Sequence, residues 1–312
     1  MGAAVTPLEL ALARLSADEI VAAMKLARAP AAARALVRLA FTAVSSPLGR
    51  TLARFDARID SAGVAAAAAA ALDDFGATWN HLGERPPRHG AVMVVANHPG
   101  AYDALALLAA VGRDDIAIVA SDRAFLRAMP GLRRHLILVP DAPVAPEMAM
   151  ARMRGLRDAI AHLRSGGALV HFAAGRIEPD PAFPVAPGVE RLAAWQAGTG
   201  RLVRAASAPG GTVVAALVEG VHSRRAKEMP LTRLAEAYGL TTLAPLLQVA
   251  IPHFRDVAVT VRFAGPLRAR DLVAGRDDAR ITSLLRSRSL ALWPLHLGED
   301  PPEPRDRVVP SG

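Results

Sequence analysis

The stretch VVANHPGAYDALALL, residues 94 to 108, sets a histidine, His98, and an aspartate, Asp103, around a Pro99-Gly100 turn between two apolar runs. An imidazole can take a proton from a hydroxyl when a neighbouring carboxylate orients its ring and fixes its tautomer. On one continuous helix, two residues five positions apart stand about 140° from each other and cannot meet. A turn ahead of the helix removes that obstacle. Pro99 and Gly100 make the turn, a helix starts near Ala101, and Asp103 falls in its first turn, where the helix dipole favours a carboxylate. The same residues also admit a plainer reading, a turn histidine satisfied by its neighbours beside an ordinary helix-start aspartate, because short patterns recur by chance.

Elements that can hold such a turn are visible around it. GERPPRHG at 83 to 90 is a loop by composition, and the continuous apolar run AVMVVAN that follows predicts a buried strand ending at Asn97. DIAIVAS at 115 to 121, ALVHFAAG at 168 to 175, GTVVAALVEG at 211 to 220 and DVAVTVRFAGPL at 256 to 267 predict further strands. Between them, PEMAMARMRGLRDAIAHLRSGG reads as a helix stopped by Gly166 and Gly167. Strands alternating with helices predict an α/β fold with a mixed, mainly parallel sheet flanked by helices. His98 then lies past the carboxyl end of a strand, where open α/β sheets bind ligands.

The first 82 residues read as a helical region, with helix starts at Thr6-Pro7 and at Ser16 with Glu19. Leu36, Leu39, Ala40, Val44 and Leu48 fall near one stripe, with arginines at 34, 38, 50 and 54, which suits a packed bundle helix or a membrane-surface helix. Residues 83–298 form the predicted α/β domain. The proline-rich, charged stretch 299–312 reads as a disordered tail.

Composition narrows the chemistry. Of the 312 residues 52% are hydrophobic and 21% charged, which is globular usage. There are 37 basic and 29 acidic residues, net +8, and Lys25 and Lys227 are the only lysines, so the positive charge is almost all arginine. Such a surface favours anionic partners. The chain has no cysteine, hence no thiolate nucleophile and no cysteine-ligated metal, and no G-x-S-x-G elbow. The nine histidines show no H-E-x-x-H or similar ligand spacing. Aromatics are only 4% and no nucleic-acid module signature is present, so charge alone speaks for nucleic acid and that partner is set aside. The N-terminus lacks a basic-then-apolar leader pattern, and GVAAAAAAAL at 63 to 72 is shorter than the roughly 18 apolar residues of a spanning helix. A cytoplasmic chain, soluble or peripherally attached, is the expectation.

NHPGAYD resembles the N-H-x4-D block of the glycerolipid acyltransferase family, which includes lysophosphatidic acid acyltransferases. Later segments follow in the family's order: SGGALVHFAAGR is similar to the block that ends in F-P-E-G-T-R, GGTVVAALVEG to the apolar fourth block, and VAVTVRFAGPL to a late strand ending in Gly-Pro. The resemblance spans about residues 85 to 270. It implies an acyltransferase domain in which His98 and Asp103 act as the general-base pair on an acceptor hydroxyl that attacks acyl-CoA or acyl-carrier protein directly, with no further cofactor. It implies a lysophospholipid or related glycerolipid acceptor, and Asn97, Gly100, Phe172 and Gly175 as substrate-binding residues. Arg176, after the glycine at a strand end on the His98 edge, and Arg123, just after the second strand, are candidates for an anionic group from their own positions, against the plainer reading of solvated surface arginines. The basic helices near the N-terminus suit work at the inner face of the cell membrane, on an anionic lipid surface. The sequence departs from the family where Ala173 and Ala174 replace proline and glutamate, where Pro140 and Asp141 stand near the usual arginine, and where Ala215 takes a proline position. These departures bear on the acceptor, and they leave open a non-phosphate lipid acceptor or an inactive membrane-binding protein of the same fold.

Four other constellations stand beside this one. Glu178 can partner Arg176 or be a plain loop carboxylate. His171, inside an apolar strand, reads as a satisfied core histidine. His222 with Arg224 and Arg225 follows a strand end and suits either a phosphate or membrane contact or a solvated basic loop. GTGRLV at 198 to 203 lacks the third glycine and the preceding strand of a dinucleotide site.

Overall fold

A computed structural model describes residues 5–23, 41–42, 45–100, 102–140, 146–237 and 243–294. Leu36, Leu39, Ala40, Val44, Arg34 and Arg38 of the predicted basic stripe, the helix start at Ala101, Asp141 and the tail lie outside the described residues. The helices are α1 (Pro7–Ala23), α2 (Ser46–Ala62), α3 (Val64–Asp74), α4 (Asp103–Val111), α5 (Pro146–Arg164), α6 (Gly198–Ser207), α7 (Pro230–Ala237), α8 (Leu243–Ala250) and α9 (Asp278–Leu290), with several helices of one turn between them. The strands are β1 (Thr78–Leu82), β2 (Val92–Ala96), β3 (Ile116–Ser121), β4 (Leu136–Val139), β5 (Ala168–Phe172), β6 (Thr212–Glu219), β7 (Ala258–Phe263) and β8 (Leu267–Arg268).

They form one sheet in the order β1-β7-β6-β2-β5-β3-β4, with β8 paired to β6. β2 pairs in parallel with both β5 and β6, β3 in parallel with β5 and β4, and among the described strands only the β6–β7 and β6–β8 pairs are antiparallel. The mixed, mainly parallel α/β sheet read from the sequence is the observed one.

Burial explains why the central strands were readable. Every residue of β2 is buried, because successive side chains feed two different cores. Val92, Val94 and Ala96 join Val170, Val214 and Ala216 under α2, α3 and α4. Met93 and Val95 join Leu169, Val213 and Leu217 under α6 and α9. The alanine run of α3 belongs to the first layer, with Ala67, Ala68 and Ala71 fully buried, so small side chains let this helix lie close to its neighbours.

Two expectations change. Ser16 and Glu19, read as a second helix start, lie inside the continuous helix α1. The helical reading reached to about residue 80, yet Thr78–Leu82 is the edge strand β1, parallel to β7. Its residues alternate between exposed and half-buried, so TWNHL carries no apolar run to mark it. The region before residue 83 therefore contributes a strand to the sheet as well as helices to its face.

Candidate active site

β2 ends against Asn97, and that residue decides how the chain leaves the sheet. Its side-chain N–H donates to the Val218 carbonyl at 2.9 Å, and the Val218 N–H donates to its Oδ1 at 2.7 Å. The amide thus continues the β2–β6 ladder with a side chain while the backbone turns away. Asn97, expected to bind substrate, is fully buried and committed to β6. Through these two bonds it shapes the turn by which the chain leaves β2.

Gly100 takes a left-handed φ of +94°, which a side chain disfavours, and a Cβ there would come within 3.2 Å of Ile177 Cδ1. Its N–H donates to Asp103 Oδ2 at 2.8 Å, while Asp103 Oδ1 accepts from the Ala104 N–H at 2.6 Å. The carboxylate is pinned by two backbone donors at the first turn of α4. Oδ2 also accepts from His98 Nδ1 at 2.7 Å. Because a carboxylate only accepts, Nδ1 is the donor of this pair, and in the neutral imidazole Nε2 keeps its lone pair. The Asp103 side chain is 2% exposed, and that of His98 is 29% exposed. The pair inferred from spacing is assembled, with its open side on the histidine.

Phe172 closes one face of the imidazole. It stands opposite Ala96 in the parallel register, and its ring stacks on His98 with centroids 4.4 Å apart and planes 27° apart. Beyond β5 the loop turns at Gly175, at φ +63°, where a Cβ would collide with the Gln196 amide. Arg176 follows, exposed and with no ion pair among the described residues, and Ile177 lies over the Gly100 turn. Arg123 points elsewhere: its guanidinium pairs with Glu19 of α1 at 3.4 Å.

Sequence reasoning missed the role of Glu178. This residue is 3% exposed. Its N–H donates to the His98 carbonyl at 2.8 Å, its Oε2 accepts from the His98 N–H at 3.0 Å, and its Oε1 accepts from the Ala193 N–H at 2.8 Å. Two residues on, Asp180 accepts from the Gly220 N–H at 2.7 Å and the His222 N–H at 3.0 Å, and its Oδ2 sits 3.2 Å from His222 Nδ1. The loop after β5 is therefore clamped to the exits of both β2 and β6. Neither clamp follows a local pattern, since the partners are 80 and about 40 residues away. His222 is thus held by a buried carboxylate and is not part of a solvated basic loop.

Burial opposes a charge on His98, but the Asp103 carboxylate, its hydrogen bond and the charge of Glu178 outweigh it, so the imidazole pKa lies above the ordinary 6.5. Burial pushes the Glu178 carboxyl up, against the peptide donors that favour its charged form. Asp180 goes the other way: burial raises it, but His222 and the backbone donors hold it below the ordinary carboxylate value. On the opposite face of β5, His171 Nε2 lies 3.1 Å from Thr199 Oγ1, and burial lowers its pKa to about 4, in keeping with a core histidine.

The arrangement supplies an oriented base with one open nitrogen. Among the described residues no serine or threonine hydroxyl bonds to the His98 ring, and no three His, Asp or Glu side chains gather as metal ligands.

No family model and no curated protein matches the chain. Among solved structures, it is similar to the 1-acyl-sn-glycerophosphate (LPA) acyltransferase PlsC from Thermotoga maritima, at 18% sequence identity and a TM-score of 0.45, over 77% of this chain and 83% of that one.

Proposed function

We propose that this protein is an acyltransferase that moves a fatty acyl group from acyl-CoA or acyl-carrier protein to a hydroxyl of a lysophospholipid or related glycerolipid. The observation that carries this reading is the 2.7 Å contact between His98 Nδ1 and a buried Asp103 at the end of a central strand, with no protein hydroxyl on the ring. The resemblance of NHPGAYD to the glycerolipid acyltransferase block supports the same chemistry. His98 Nε2 takes the proton of the acceptor hydroxyl as its oxygen attacks the thioester carbonyl. The C–O bond forms, the C–S bond breaks, and the proton passes from the imidazolium to the departing thiolate. No acyl-enzyme is needed. Release of free thiol, measured over a panel of acyl-CoAs with lysophospholipid and neutral monoacyl acceptors, tests the reaction; no acceptor-dependent release with any pair overturns it.

Arg176 is the group proposed to meet an anionic acceptor, being exposed on the loop that also contacts the His98 turn. Arg176→Ala should raise the KM for a lysophosphatidate acceptor roughly tenfold while changing that for a neutral monoacylglycerol little. Equal effects on both would remove the phosphate role and favour the reading with a neutral lipid acceptor, to which Ala173 and Ala174 in place of the family's proline and glutamate already point.

A lipid acceptor asks for access to a bilayer surface. Among the described residues no helix is long and apolar enough to cross a membrane. Helix α7 follows β6, which ends at the same sheet edge as β2, and at its described positions burial is inverted: Thr232 is fully buried while Leu231 and Leu234 are 58% and 56% exposed. Arg224, Arg225, Lys227 and Arg233 flank these leucines. Aliphatic side chains with cations beside them suit peripheral attachment to anionic lipid. Replacing Leu231 and Leu234 together by serine should reduce cosedimentation with vesicles rich in phosphatidylglycerol at least about fivefold. Unchanged sedimentation would move the attachment to another surface.

A further inference from the structure

Glu178 is a buried carboxylate to which the acyl-transfer chemistry gives no step. Its oxygens meet the peptide N–H groups of His98 and Ala193, and among the described residues no arginine or lysine pairs with it. Joining two backbone donors takes only a neutral acceptor, and a buried charge without a cation is the costlier choice. What the charge faces is the histidine. Glu178 also receives both backbone polar groups of His98, its carboxylate accepting the N–H and its own N–H bonding the carbonyl. Asp103 fixes the ring from α4, and Glu178 fixes the backbone that projects the ring.

We propose that Glu178 is a positioning residue for His98, holding its backbone through two hydrogen bonds and setting a negative charge beside the imidazole. The inference rests on the acyl-transfer reading only in taking His98 as the base. The charged groups that face His98 are Asp103 from α4 and Glu178 from the loop after β5; β5 itself contributes the neutral Phe172, and β6 meets the turn through the neutral Asn97–Val218 pair. Both carboxylates favour the protonated imidazole, and the direction of the His98 shift agrees. The sequence supports a dedicated arrangement: Glu178-Pro179-Asp180 puts two clamps on a short, stiff segment, the second tying the loop to Gly220 and His222 at the β6 exit. The carboxylate that the sequence lacks at Ala174 is thus present near the turn from four residues further on.

The test follows the His98 imidazole by NMR titration and needs no turnover. In Glu178→Gln the charge and one acceptor are lost, and the midpoint should fall by about half a unit to one unit while the fold, judged by circular dichroism, persists. The acidic limb of the acyl-transfer pH profile should move by the same amount. A folded variant with an unmoved midpoint makes Glu178 a structural clamp only and overturns the proposal. In the unmodified protein, the Glu178 carboxyl resonance should respond across the His98 titration, because coupled groups report each other's protonation. A carboxyl resonance blind to that titration overturns the proposal even if the variant does not fold. A shifted midpoint in a protein without transferase activity would retain this inference and sink the reaction instead.

Discussion

His98→Ala is expected to lower acyl transfer from a thioester by at least about 100-fold, with the donor's KM little changed. The reason lies in what the site lacks as much as in what it has. With no cysteine in the chain and no hydroxyl on the ring among the described residues, the structure offers no second route through a covalent intermediate at His98. An acceptor hydroxyl that loses its base must shed its proton to water in the transition state, and positioned general bases are worth about 10²–10⁴ in rate. The fold should tolerate the change. Asp103 keeps the Gly100 and Ala104 N–H donors, so its carboxylate is not stranded, and the loss is confined to the Phe172 stack and one ring hydrogen bond. Circular dichroism and a steady melting temperature would establish the fold, and the thiol-release rate would then read the base alone. Full activity in a folded variant would end the assignment.

The reach of the sequence into this site follows the range of each interaction. His98 and Asp103 were legible because they are five residues apart and the turn between them is made by Pro99 and Gly100. β2, β3, β5 and β6 were legible because strands covered on both faces show as apolar runs. β1 was not, since an edge strand half-exposed along its length needs no such run. Asn97 was recognised as special, but its bond to Val218 was not, because that partner lies 121 residues away and nothing local announces a ladder extension. Glu178 was invisible in the same way. Its position after Arg176 suggested a neighbour, whereas its oxygens reach across to the β2 turn and to Ala193. Residue types and short spacings carry the chemistry of this site, and the crossover topology carries its support.

Asp103→Asn should cost transfer on the order of 100-fold or more and should move its pH dependence. Both Asp103 oxygens accept backbone donors, Oδ1 from Ala104 and Oδ2 from Gly100, and Oδ2 also takes the His98 Nδ1–H. An asparagine cannot reproduce this, because its NH2 must face a donor on one side. With the amide nitrogen toward His98 it donates to Nδ1, and the ring proton moves to Nε2, the nitrogen that has to accept. With the amide turned over, it meets the Ala104 N–H and the first turn of α4 loses its acceptor. The pH signs are opposite for rate and stability. The His98 pKa is raised above 6.5, so the neutral, active imidazole gains as pH rises through that higher value and the rate rises with it. The stabilisation from the charged histidine is instead complete below 6.5 and disappears as pH rises through the folded-state pKa. In Asp103→Asn the acidic limb should therefore move to lower pH while the plateau falls. The melting-temperature gap between the two proteins should be wider below pH 6.5 than above the His98 midpoint. A lower plateau with an unmoved limb would mean that Asp103 aligns the ring without setting its basicity, and the charge beside His98 would then have to come from Glu178.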